Sequence, residues 1–424
     1  MSTLEWLSIA LLVAVFVLAI WRDVNVGLAA LPAAFLLAGI GGIPKQEVLA
    51  GFPADIVVLI IGVMYMFGHA QRSGAVDRVV HAVVRASGGR DWLLPWGMFL
   101  IGAVLSAIGT LPSATVAIVL PVSMRLARSR GIDPVLIALV ACSGAGVGGF
   151  SPLAPWAKIV ETLSTRQHVD YSPAGLFLGL AGLKTAVTIV AFFALGGMKL
   201  IRTKHAAGSA AGPRTEVPEL RGAAPMSRYE IGSLIGLGVF LVGALALGVN
   251  VAFLALAVGL VLHLVFRPDT RKVVGELPWG VVLIIAGVLV YVADLERIGT
   301  LTTIAGHLGG IDNTLLAILA ISYLASFFAT IESSTVAVLS VVVPLVVAAM
   351  PHHGPAGFTA LLIAVCGTIG AVAISPLHLG GGLVLANTEE KDQRRVFRWT
   401  LGWSLGAAII LPAVLLLVPL TVGV

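Results

Sequence analysis

The sequence predicts an all-α polytopic membrane protein: two inverted repeats, each of five transmembrane helices plus a re-entrant hairpin, with discontinuous helices at the repeat interface. Three observations lead there. Hydrophobic residues are 58% of the 424 and charged residues only 11%, against about 25% charged in a soluble domain. The chain is also written twice. Glu5 and Ser8 return as Glu230 and Ser233, and Asn25-Val26 as Asn250-Val251, an offset of 225. Val57–Ile61 returns as Val281–Ile285, and Ser151-Pro152 as Ser375-Pro376, an offset of 224. The third observation is the sorting of basic residues between alternate loops, which a five-crossing repeat makes one-sided.

Apolar stretches of about 20 residues read as spans. In the first repeat, residues 1–200, these are Leu4–Ile20, Val26–Gly42, Ile56–Ala70, Val135–Gly149 and Leu176–Met198, with a longer region Trp92–Leu126. In the second, residues 227–424, they are Ile231–Gly248, Val251–Phe266, Val281–Ala293, Phe358–Ala373 and Leu401–Val418, with a longer region Thr314–Met350. Each long region, at about 35 residues, is cramped for two full spans. Each has a polar break near its middle, at Gly109–Ser113 and Ala329–Ser334, and reads as a hairpin that enters and leaves on one side. Ser73–Ser87 sets Val76, Val79, Val80 and Val83 against Arg78, His81 and Arg85, the pattern of an interfacial amphipathic helix. Residues 201–226, rich in Ala, Gly, Pro and charge, read as a linker between the repeats.

With both hairpins in place and the N-terminus outside, twenty-one basic residues fall in cytoplasmic segments, four fall outside and Lys184 lies within a span. That is a strong positive-inside bias. It predicts a multi-pass protein of the cell (plasma or inner) membrane, with both termini outside and the linker cytoplasmic. The formal charge of +5 is spread by this topology instead of gathering into a nucleic-acid patch. The expected partners are therefore the lipid bilayer and a small molecule, with no nucleic acid. Cys142 and Cys366 sit inside apolar segments and suggest no disulfide framework. Leu4–Ile20 lacks the basic flank and cleavage site of a signal peptide and has a partner in Ile231–Gly248, so it counts as a span.

Four segments break a membrane helix with polar or helix-ending residues. Two are the hairpin tips, Thr110–Thr115 and Thr330–Thr335; two are interrupted spans, Gly144–Pro152 and Gly367–His378. Breaks at matching places in two repeats point to a secondary transporter with its site between the copies. Half-helix N-termini offer N–H groups and a positive dipole end to an anion, while unwound carbonyls and hydroxyls offer oxygens to a cation. The candidate substrate residues are Ser113, Thr115, Ser151, Ser333, Ser334, Thr335, Ser375 and His378. The candidate coupling-ion residues are Thr110, Gly144, Gly148, Thr330, Glu332 and Thr368, for sodium or a proton, with no other cofactor or metal expected. The glycines also suit close helix approach. Intramembrane charge is costly and is functional or paired. Glu332 reads either as a proton carrier or as a solvated residue near the outer surface. Lys184 is expected to pair with a carboxylate or to snorkel, a structural part, and Lys158 to lie at the surface.

The runs Ala50-Gly51-Phe52-Pro53-Ala54-Asp55, Leu94-Pro95-Trp96-Gly97-Met98-Phe99 and Gly148-Gly149-Phe150-Ser151-Pro152 make Asn25–Trp156 resemble the malonate/dicarboxylate carrier family of the ion transporter superfamily. Ser333-Ser334-Thr335, Ile374-Ser375-Pro376 and Val384-Leu385-Ala386-Asn387 extend the resemblance through the second half. The superfamily includes the divalent anion–sodium symporters. The resemblance implies a homodimer whose protomers each have a scaffold and a mobile transport part, moving like an elevator. It also implies ion-coupled transport of a small dianion such as malonate or succinate. In the symporters a Ser-Asn-Thr motif at each tip holds substrate carboxylate and sodium. Here the tips read Leu111-Pro112-Ser113 and Ser333-Ser334-Thr335, without Asn, so substrate contact carries over only to Ser113, Ser333, Ser334 and Thr335. The alternatives are an inorganic oxyanion exporter or cation/proton antiporter of the same superfamily, and the membrane subunit of a binding-protein-dependent carrier. No enzyme is expected: the residue two before Ser143 is Ala141, and neither HExxH nor GxSxG occurs.

Overall fold

Helix starts recur at the same offset as the sequence. The Ser2 N–H donates to Glu5 Oε2 (2.6 Å) and the Glu5 N–H to Ser2 Oγ (3.2 Å). Ser227 and Glu230, 225 residues on, make the same exchange at 2.8 and 3.1 Å, a capping box that satisfies two orphan donors at once. Asn25 and Asn250 each cap the next helix by accepting from two backbone N–H groups. In this computed structural model the described residues are 1–22, 24–88, 90–202, 225–309, 314–332, 334–349 and 354–421. Positions 203–224 of the expected linker therefore lie outside them.

The first half forms α1 (Thr3–Arg22), α2 (Val26–Gly41), α3 (Lys45–Ala50), α4 (Ala54–Ser73), α5 (Ala75–Ala86), α6 (Leu93–Ala107), α7 (Pro112–Arg130), α8 (Pro134–Gly148), α9 (Pro155–Arg166), α10 (Pro173–Ala194) and α11 (Gly197–Arg202). The second half repeats this order of long and short helices: α12 (Arg228–Leu245), α13 (Val251–Phe266), α14 (Thr270–Gly275), α15 (Trp279–Ile298), α16 (Thr300–Gly309), α17 (Thr314–Ile331), α18 (Thr335–Ala349), α19 (Pro355–Val372), α20 (Leu379–Ala386), α21 (Glu390–Leu415) and α22 (Leu417–Thr421). Among the described residues every regular element is helical. Among the described residues, six helical stretches are long and apolar enough to cross a membrane: Thr3–Arg22, Lys45–Ser73, Pro173–Ala194, Arg228–Leu245, Pro355–Val372 and Glu390–Thr421.

The halves interlock through reciprocal contacts. α2 crosses α15, where Gly27 sits against the backbone of Leu283 and Gly287; α13 crosses α4, where Gly62 sits against the Ala252 carbonyl. Gly27 and Ala252 are 225 apart, as are Gly62 and Gly287, so one crossing is made twice. Small residues let the backbones touch there. The first helix of each half also grips the amphipathic helix of the other. Glu5 accepts from Thr303 Oγ1 at 2.8 Å, while Glu230 pairs with Arg78 at 3.1 and 3.2 Å. Arg78 and Thr303 are again 225 apart.

α5 matches the helix expected at Ser73–Ser87, and Val76 and Val80 are buried while Val79 is 41% exposed. Its counterpart α16 went unread in the sequence, because Thr300–Gly309 carries no Asp, Glu, Lys or Arg to mark a polar face. Both follow a long helix through a glycine with positive φ, Gly74 at 89° and Gly299 at 87°. That left-handed turn carries no Cβ penalty only for glycine. The expected hairpin tips fall where helices end: α6 gives way to α7 across Ile108–Leu111, and α17 to α18 just after Ile331.

Candidate functional site

The serine of each expected break is tied to an expected tip. Ser151 Oγ donates to the Ala107 carbonyl at 2.6 Å, at the end of α6, and accepts from the Leu153 N–H at 3.4 Å. Ser375 Oγ donates to the Thr330 carbonyl at 3.0 Å, in the last turn of α17, and accepts from the Leu377 N–H at 3.3 Å. A buried hydroxyl so placed satisfies one of the orphan carbonyls at a helix end. Two breaks and two tips are thereby drawn to one locus.

There a cavity of about 100 Å³ opens. Four helices begin at its wall: α7 at Pro112 and Ser113, α9 at Trp156, α18 at Ser334 and Thr335, and α20 at His378, Leu379 and Gly380. Helix N-termini carry unsatisfied N–H groups and the positive dipole end, so the wall favours an anion. His378 caps α20 by accepting the Gly380 N–H on Nδ1 at 3.1 Å, and its Nε2 lies 3.0 Å from Thr335 Oγ1. A ring nitrogen that accepts carries no proton, so the neutral ring holds its proton on Nε2 and donates to Thr335. The Thr335 hydroxyl hydrogen is then left for another acceptor.

Lys184 of α10 supplies the charge. It lines the cavity, is 6% exposed, and holds its ammonium 6.0 Å from the Trp156 ring centroid, within cation–π range. Nζ lies between Gly146 of α8 and Gly370 of α19, where a Cβ on either would crowd it. These glycines are 224 apart in the repeat. Among the described residues no carboxylate pairs with Lys184. Pairing, one of the two structural parts expected of it, is therefore not seen among the described residues, and the ammonium is buried in the cavity wall.

Of the expected substrate residues, the structure brings Ser113, Ser334, Thr335 and His378 to the cavity. Ser151 and Ser375 hold the breaks to the tips, and Thr115 Oγ1 accepts from Ser106 Oγ at 3.0 Å. Ser333 lies outside the described residues. The expected ion residues are placed around the cavity instead of along its wall. Thr330 donates to Ser326 O and Thr368 to Val365 O, at 2.8 and 2.7 Å. Gly144 and Gly148 pack on the backbone of α6 at Phe99 and Ala103. The Thr110 hydroxyl is buried without a hydrogen-bond partner among the described residues. Glu332 is 2% exposed, with Oε1 accepting the Ser334 N–H at 3.2 Å; this overturns its alternative as a solvated surface residue. Lys158 is partly exposed and pairs with Glu161 at 2.8 Å, as a surface lysine would.

Residues 1–149 match the family model described as the N-terminus of the dicarboxylate carrier protein MatC. No curated protein sequence matches the chain. Among solved structures, the fold is similar to the YdaH transporter of Alcanivorax borkumensis, with TM-score 0.57 and 15% identity over 87% of this chain and 86% of that one. It is also similar to MtrF of Neisseria gonorrhoeae, described as illuminating a class of antimetabolite efflux pumps, with TM-score 0.60 and 15% identity over 88% and 82%. At that identity the likeness is one of fold. A carrier-family amino-terminal third and a transporter fold make the chain a multi-pass membrane transporter.

Proposed function

We propose that this chain, whose first 149 residues carry the MatC-type amino-terminal module, is a secondary carrier of small organic dianions of the malonate or succinate type. One observation carries the reading: a buried ammonium with no carboxylate partner among the described residues faces a small cavity at which four helices begin. One substrate carboxylate lies against Lys184. The other takes hydroxyl donors from Ser113, Ser334 and Thr335, and the apolar wall of Leu111, Val116 and Leu139 receives the short carbon chain. The reciprocal contacts and the matched order of helices support two repeats, residues 1–200 and 227–424, inverted across the membrane. In that arrangement α6–α7 and α17–α18 are re-entrant hairpins opening from opposite sides, the termini lie outside and the linker is cytoplasmic. Alternating access is an elevator-like motion of the part holding the cavity, within a homodimer. The coupling ion binds at the tips, a proton on Glu332 or a sodium ion on the Thr110 hydroxyl and neighbouring carbonyls.

Uptake of labelled malonate and succinate into proteoliposomes tests this, with a sodium gradient, a proton gradient or neither. Uptake driven by protons and lost in Glu332→Gln assigns coupling to that residue; sodium-driven uptake moves it to the oxygens of the tips. Absence of uptake of both acids under every gradient sinks the dicarboxylate reading in favour of an oxyanion exporter or a cation/proton antiporter.

A further inference from the structure

A second cavity, about 1160 Å³, runs between α10 and α21. Its wall on α21 extends from Lys391 to Leu411, and the apolar part, Trp399 to Leu411, rises about 18 Å at 1.5 Å per residue, roughly one leaflet of a hydrocarbon core. The two ends differ in chemistry. Lys391, Arg394, Arg395 and Arg398 crowd one end, and beyond them the wall is apolar, from Trp399 to Ile410 and across to Val187 and Val190. The space beside Gly402 and Gly406 is open, since a Cβ on either would meet nothing within 4 Å.

We propose that this groove seats one anionic phospholipid, its phosphate on Arg394 and Arg398 and an acyl chain along Gly402 and Gly406. The charges assign the headgroup. Lys391 is bonded to Glu389 at 2.6 Å and Arg395 to Asp133, whereas Arg394 and Arg398 are exposed and make no ion pair among the described residues. Basic pockets between membrane helices bind lipid headgroups in this way. Trp399, 49% exposed, stands beside them as an aromatic at headgroup depth does. A second copy of the chain is a poorer occupant. An isologous contact about an axis normal to the membrane would set the two basic clusters against each other. The groove also shares Val187, Trp403 and Leu411 with the central cavity. A seated acyl chain therefore presses on the wall that bounds the site, and its presence alters turnover. The seat itself does not depend on which anion is carried.

The test is native mass spectrometry of the full chain from nanodiscs of phosphatidylcholine with an equal share of phosphatidylglycerol. The wild type is expected to retain one phosphatidylglycerol. Retention is expected to fall about thirtyfold in the double variant Arg394→Gln/Arg398→Gln, from two surface arginines. A comparable fall is expected in Gly406→Leu, which fills the groove and leaves the arginines in place. Equal retention of both lipids, or retention unchanged in the two variants, overturns the proposal. So does spontaneous disulfide dimerisation of Gly406→Cys in the bilayer, which would place a second copy there.

Discussion

In the first break Ser151 holds the end of α6 and Ala154 stands at the start of α9 with no side-chain cap. In the second, Ser375 holds the last turn of α17 and His378, the counterpart of Ala154 at an offset of 224, caps α20 and meets Thr335. Leu111 occupies the place of Thr335 in the first half. Lys184 likewise has its counterpart in Ala408, so the ammonium also occurs once. The backbone device was kept in both copies, because an unsatisfied carbonyl at membrane depth costs the same in each. The polar side chains were not kept in both. The site is thus symmetric in its helix ends and asymmetric in its chemistry.

Removing the unique charge should have the largest effect. Lys184→Met deletes hydrogen bonds to a charged group worth about 1.5–3 kcal/mol. Dianion affinity measured by calorimetry should fall ten- to a hundredfold while the protein still elutes as a folded species. Unchanged affinity would remove Lys184 from the site. Gly370→Ala should come next: the added methyl crowds Nζ and shifts the ammonium, lowering affinity about tenfold, and Gly146→Ala should act in the same direction.

His378→Ala should cost about 1 kcal/mol of stability for the lost cap and a few-fold in affinity through Thr335. Ala154→Ser at the matching position should leave binding untouched, and equal losses at the two would break the asymmetry argued above. The smallest effects should be the matched pair. Ser151→Ala and Ser375→Ala each delete a buried hydrogen bond of about 1 kcal/mol and should lower Tm by the same one or two degrees, about what that energy gives in a chain of this size. Clearly unequal shifts in thermal unfolding would show that the two ties are not one device.

The breaks were legible because each is local: Ser-Pro after a glycine-rich helix end cannot continue a helix, and its recurrence after 224 residues marks it as designed. Hydroxyls near a break could be named on the same ground, and Ser113, Ser334, Thr335 and His378 do line the cavity. Thr330 and Thr368 were equally visible, yet their hydroxyls turn back on their own helices, an outcome that depends on rotamer and neighbours. Lys184 was visible as an intramembrane charge, but its neighbours are Gly146 and Gly370, far away in sequence. Only the pairing of those two glycines across the repeat signals the space left for an ammonium.

By itself, therefore, the sequence determined the membrane class, the duplication and the positions of the four breaks. Hydrophobic length, caps and helix breakers act over one or two turns, and a repeat is read by alignment alone. The tertiary structure decided which polar groups meet. That rests on how α10 threads between α8 and α19 and on how the half-helices pack around the cavity. Close-packed crossings set their rotations, and a rotation of one turn's fraction moves a hydroxyl from cavity to core.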